Sequence, residues 1–158
     1  MTSSSAHRIG LISDTHGLLR ASVHDALAGV EMILHAGDVG GDDILIELAT
    51  IAPVHAVSGN TDLQGRYDPE FTVTVGGRDI HVSHGHEVGS PTPEKLAARY
   101  PQDVLVYGHT HQQLVTHIGE RVIVNPGAAG PRRFRLKASV GVLTIAGSDV
   151  DVEIIALD

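Results

Sequence analysis

Short aliphatic runs alternate with helix-like stretches through the first half of the chain. Residues 8–13, 32–35 and 54–57 are rich in β-branched and aliphatic side chains, while 21–28 and 42–49 carry apolar residues at helical spacing. This order predicts a βαβαβ unit and a largely parallel sheet. Each apolar run gives way to a small or polar cluster: Ser13-Asp14, Gly37-Asp38 and Gly59-Asn60. Ligands in open α/β sheets gather beyond the carboxyl ends of the strands, so these clusters stand where a site would be built.

From residue 71 the pattern turns antiparallel. Gly76-Gly77 separates 71–75 from 79–83, Gly119-Glu120 separates 114–118 from 121–124, and Gly147-Ser148 separates 138–145 from 150–155, each as a hairpin turn would. A helix is expected over 93–100, with Thr92 as its cap and Glu94 in its first turn, followed by a buried strand over 104–107. One sheet holding all these strands would be very wide. The expected fold is therefore α/β, a four-layer α/β/β/α sandwich of two mixed sheets flanked by helices. It is expected to form a single domain over residues 1–158, with the serine-rich residues 1–6 flexible.

Composition narrows the chemistry. A hydrophobic fraction of 42% against 19% charged residues fits a folded chain, and with 3% aromatics the core must come from Val, Ile, Leu and Ala. A net charge of −8 disfavours stable binding to nucleic acid, whose capture rests on Lys and Arg. The absence of cysteine excludes thiolate metal sites and cysteine nucleophiles, so any metal must be held by nitrogen and oxygen. No signal-peptide pattern or membrane-length apolar run is visible, which makes the cytoplasm the expected location and a membrane partner unexpected. Eleven histidines are the outlying number, and they recur beside Gly, Asp and Ser.

Asp14-Thr15-His16 follows the first strand, and His109-Thr110-His111 follows the buried strand over 104–107. In extended backbone an i, i+2 spacing would turn both side chains of each pair to one face. Between them lie Asp38, Asn60 and His84, each at a strand end, and glycines at 37, 59, 85 and 108 allow sharp turns and close approach to an ion. A carboxylate such as Asp38 can bridge two cations about 4 Å apart, which acidify a water and polarise an ester oxygen.

The ordered motifs Asp-x-His, Gly-Asp, Gly-Asn, a lone His and Gly-His-x-His resemble those of the calcineurin-like metallophosphoesterases, and the chain is similar to their compact bacterial and archaeal phosphodiesterase branch. The resemblance implies a phosphoesterase, foremost a phosphodiesterase, that uses a metal-bridging hydroxide as nucleophile. It implies that Asp14, His16, Asp38 and His111 hold one metal, and that Asp38, Asn60, His84 and His109 hold a second. Asp38, Asn60 and His84 are the residues it places at the reacting centre. Two divalent transition-metal ions are expected, manganese foremost, with iron, zinc, cobalt or nickel also suited to the donor set. Many members follow the asparagine with histidine. Here that position is Thr61, which removes a general acid and points to esters with good leaving groups.

The expected partner is a small phosphodiester or phosphomonoester, and the apolar late strands leave room for a homo-oligomer. The other histidines are assigned elsewhere: His7, His24 and His117 to the surface, His35, His55 and His81 to packing or hydrogen bonding within strands, and His86 either to structure or to contact with phosphate or with the groups that support the ligands. Arg132 and Arg133 read as a solvated basic loop, and Asn125-Pro126-Gly127 as a turn. A second reading is a non-catalytic protein-interaction module with a vestigial metal site, as in the retromer-scaffold relatives of the same family.

Overall fold

A computed structural model describes residues 6–132 and 135–157, so most of the flexible-terminus expectation, and Arg133, fall outside the described residues. The first sheet contains β1 (His7–Ile12), β2 (Met32–His35), β3 (Val54–Ala56), β9 (Ser139–Ala146) and β10 (Asp149–Ala156), in the order β10-β9-β1-β2-β3. β1, β2 and β3 run parallel, whereas the last hairpin joins antiparallel along the other side of β1. The second sheet has the order β4-β5-β6-β8-β7 and contains β4 (Glu70–Val75), β5 (Arg78–Ser83), β6 (Val104–Val106), β7 (Leu114–Ile118) and β8 (Arg121–Asn125). Its centre, β5-β6-β8, is parallel, and both edges are antiparallel hairpins. Both sheets are thus mixed, as expected.

The strand period of two sorts the core into layers. Ile9 and Leu11 face the second sheet and pack with Leu34, Val82, Val106 and Leu143. Ile12 and Ile33 face the other way, against Val23 and Leu27 of α1 (Ser22–Ala26) and Ile44 and Leu48 of α2 (Asp42–Leu48). On the far side of the second sheet, Leu105 and Ile123 receive Leu96 and Tyr100 from α3 (Pro93–Arg99) and its C-cap. The result is the four-layer α/β/β/α sandwich. Central strands buried on both faces need continuous apolar runs, which is why β6 reads Val-Leu-Val without a polar break.

Thr92 caps α3 as the sequence implies, its hydroxyl accepting the Lys95 amide at 3.2 Å. His7 and His24 pair with Glu31 and Glu47 at the surface, at 2.8 and 2.7 Å, and His117 is exposed. His81 is buried and stacked on Tyr100 with ring centroids 3.8 Å apart. His55 is packed too, but without burial. β3 is an edge strand, so His55 is exposed and packs only through one ring face, stacked on Phe71.

Candidate metal centre

The parallel strands β1, β2, β3, β5 and β6 deliver Asp14, Asp38, Asn60, His84 and the His109/His111 pair from the residues just beyond their ends. Loop-to-loop bonds extend the β1–β2 pairing past its last residues: the Asp14 amide donates to Gly37 O, His16 to Asp38 O and Gly17 to Val39 O, each at 2.9 Å. The Gly108 amide donates to His84 O at 3.0 Å, and the His109 amide to Asp14 Oδ2 at 3.1 Å, which ties the second sheet's loops to the first.

The paired ligands converge by a different route from the one the spacing suggested. Asp14 and His16 have φ of 54° and 46°, and His109 and His111 have 73° and 65°, so neither pair is extended. Left-handed turns at each of these residues fold the loops tightly around a point, and Asp38, at 55°, does the same. These are the only non-glycine residues with positive φ among the described residues.

Each carboxylate is divided between protein and centre. Asp14 Oδ2 accepts from the Ser13 hydroxyl at 2.6 Å and from the His109 amide, whereas Oδ1 is buried without a hydrogen bond of good geometry. Oδ1 faces Nε2 of His111, His16 and His84 at 3.3, 3.7 and 3.9 Å. Asp38 Oδ1 accepts the Thr61 amide at 2.9 Å, and Oδ2 lies between His84 Nε2 and His16 Nε2, at 3.3 and 3.6 Å. His109 Nδ1 stands 3.1 Å from Asn60 Oδ1 and 3.3 Å from His84 Nε2. The seven side chains proposed from the sequence are thus brought close together. Asp14, His16 and His111 form one cluster with ligand atoms within 4.8 Å of one another, and Asp14, Asp38 and His84 form another.

The electrostatics match a cation site. Burial opposes ionisation of Asp14, but His111, His16, His84 and the Ser13 hydroxyl outweigh it and hold the carboxyl well below the usual range. Burial also works against Asp38, where His84 and the Thr61 amide prevail and lower its pKa. His84 donates Nδ1–H to Ala36 O at 2.8 Å, which fixes the ring orientation with Nε2 turned towards the carboxylates. A buried carboxylate oxygen without a well-formed hydrogen bond, set among imidazole nitrogens, is a fit for a divalent ion held by nitrogen and oxygen.

Close backbone approach makes the glycines necessary. A Cβ on Gly59 would lie 2.0 Å from Asp38 Oδ1, and one on Gly108 would lie 2.0 Å from Ser13 Oγ. Three residues support the centre in a way the sequence does not reveal, although it assigns His35 to packing or hydrogen bonding and Asn125 to a turn. Asp62 Oδ2 accepts the Gly59 and Val39 amides at 2.9 and 3.2 Å, and Oδ1 accepts the Gly40 amide at 3.2 Å, clamping the loops that carry Asp38 and Asn60. Buried His35 takes the Gly37 amide on Nδ1 at 3.1 Å and directs Nε2–H at Thr15 Oγ1, 3.0 Å away, whose own proton goes to Val39 O. Asn125 donates to Gly108 O and Thr110 Oγ1 at 3.2 and 3.0 Å, so its turn motif braces the His109/His111 loop from below. His86 is exposed beside the centre, its ring 5.4 Å from that of His84, and Arg132 is exposed.

This architecture has known counterparts. A probable metallophosphoesterase from Methanothermobacter thermautotrophicus is 40% identical over 93% of this chain and 91% of its own length. A phosphodiesterase from Methanocaldococcus jannaschii is 25% identical over 76% and 82%. In fold alone, Vacuolar Protein Sorting 29 from Cryptosporidium parvum superposes with a TM-score of 0.80 at 21% identity, covering 96% of this chain and 98% of that one. Residues 8–148, which include every side chain of the centre, match the calcineurin-like phosphoesterase superfamily domain, and the chain belongs to that superfamily.

Proposed function

We propose that the chain is a dinuclear-metal-dependent phosphoesterase whose preferred substrates are small phosphodiesters. The observation that carries this reading is the division of Asp14 and Asp38, each with one oxygen held by the protein and one turned to shared imidazoles. The names of the archaeal relatives support the same class. Asp14, His16, Asp38 and His111 would hold one ion, and Asp38, Asn60, His84 and His109 the other, with manganese the first choice. When bound, such ions acidify water towards neutral pH and polarise a phosphoryl oxygen.

The chain's own part is to present these groups in fixed positions. Asp38 is the shared carboxylate, held by the Thr61 amide, and His84 is locked by Ala36 O. Thr61 has no imidazole to protonate a departing alkoxide, so the reading favours esters that leave as stable anions. No helix among the described residues is long and apolar enough to cross a membrane, in keeping with a cytoplasmic enzyme.

The likeness to Vacuolar Protein Sorting 29 favours a second reading, a protein-interaction module on the same fold. The retained donor set argues against it. Metal analysis combined with an aryl-phosphodiester assay on wild type and Asp38→Ala decides the matter. The expected result is about two ions per chain and a loss of roughly a thousandfold or more in the variant. Equal activity in both proteins would refute the mechanism, and no turnover by wild type with manganese, iron, zinc, cobalt or nickel would favour the interaction module.

A further inference from the structure

A cleft of about 490 Å³ opens from Asn60 and His86 at the edge of the metal centre and runs between Gln64, Tyr67 and Pro69. That is the size of a site for a whole organic ligand, well beyond the needs of a phosphate group. The Tyr67 ring is anchored from two directions. Its hydroxyl donates to Asp42 Oδ1 at 2.9 Å, and its amide donates to Ser58 Oγ at 3.0 Å, while Ser58 Oγ donates back to Tyr67 O at 3.2 Å. The ring is thus a fixed wall.

The charge lining this cleft is equally specific. Among the described residues no lysine or arginine lines it, and its one acidic side chain, Asp62, has both oxygens occupied by backbone amides. The neighbouring cation, Arg66, lines an adjacent cleft that shares Asp62 and Tyr67 with this one, and it is paired with Asp42. A second phosphate would therefore find no lysine or arginine here, only the His86 imidazole at the mouth. A flat, uncharged group would find an aromatic wall, a proline and the exposed Gln64 amide, which both donates and accepts.

We propose that this cleft takes the alcohol that stays on phosphorus, as an uncharged ring-bearing group of nucleoside size packed against Tyr67 and hydrogen-bonded by Gln64. The proposal rests on the phosphodiesterase reading above. A walled cleft suits the group retained through the reaction, because the departing group must reach solvent.

Three diesters with one leaving group test it: methyl p-nitrophenyl phosphate, thymidine 5′-(p-nitrophenyl phosphate), and the latter carrying an extra 3′-phosphate. The thymidine ester is expected to show a kcat/KM about 10-fold or more above the methyl ester, the scale of one base stacked on an aromatic ring. The 3′-phosphate is expected to add nothing. Tyr67→Leu should bring the thymidine-to-methyl ratio close to unity, and Tyr67→Phe should retain most of it. Gln64→Ala, on an exposed loop, should lower the ratio and serves if the leucine variant does not fold. A wild-type ratio near unity, a ratio unmoved by both Tyr67→Leu and Gln64→Ala, or a gain from the 3′-phosphate would overturn the proposal. Turnover of none of the esters would defeat the phosphodiesterase reading instead. The cleft is then judged by calorimetry with thymidine 5′-phosphate: binding that Tyr67→Leu abolishes upholds it, and no binding overturns it.

Discussion

Replacing Asp62 with alanine should loosen the metal centre without touching a single proposed ligand. The carboxylate accepts three backbone amides, from Gly59, Val39 and Gly40, at 2.9, 3.2 and 3.2 Å. Hydrogen bonds to a charged acceptor are worth about 1.5–3 kcal/mol each when buried. Asp62 is only partly buried, so water would recover much of the loss, leaving a destabilisation of about 2–4 kcal/mol. For a chain of this length that lowers Tm by about 5–15 °C. Asp62→Asn keeps one accepting oxygen and should fall by about half as much, since its amide nitrogen would oppose a backbone N–H. Unfolding scans in chelator isolate this effect, and titration with manganese then reads the centre. With the Asp38 and Asn60 loops unclamped, affinity should drop about 10- to 100-fold, the usual range for groups that orient ligands. If Asp62→Ala binds manganese as tightly as wild type, the clamp is irrelevant to the centre and the reasoning fails.

Two further outcomes follow from the same geometry. Burial pushes His35 down to about 4, against the opposing pull of Asp14, Asp62 and Asp38, so the folded chain keeps it neutral while an unfolded chain protonates it near pH 6.5. The unfolded state then binds more protons, so stability should drain away as pH falls from about 6.5 towards 4, by roughly 3 kcal/mol in all. His35→Gln should remove that part of the pH dependence, and a variant whose denaturation midpoints track wild type between pH 7 and 5 would contradict it. For Thr61, rates across a series of aryl diesters should fall steeply with leaving-group pKa; a flat dependence would show that another group supplies the proton.

The candidate donor set was legible because each residue sits in a short polar motif just beyond an apolar run, with a glycine adjacent at Asp38, Asn60 and His84, so Asp14, Asp38, Asn60 and His84 could be read one strand end at a time. β2 was read to its exact bounds because its apolar residues are flanked by charge and glycine. What stayed hidden depends on partners distant in sequence. Asp62 looks like any turn aspartate until the loop after β2 is laid beside it. His35 and His55 occupy similar strand-like runs, yet one ends under Thr15 and the other lies on an edge strand, a distinction set by strand order. The left-handed backbone was missed for another reason: aspartate and histidine tolerate positive φ better than most residues but do not announce it as glycine does.

That backbone has an energetic consequence. Left-handed φ at Asp14, His16, Asp38, His109 and His111 forfeits about 1 kcal/mol at each position, together a sizeable share of the net stability of a domain this size. Glycine at any of them would release the strain and lose a donor. Substitution towards glycine at these five sites is thus downhill in backbone energy and is opposed by the loss of the side-chain donor. Aspartate and histidine in left-handed turns are the costlier choice for the main chain, so the reason for these residues lies in their side chains and not in the backbone.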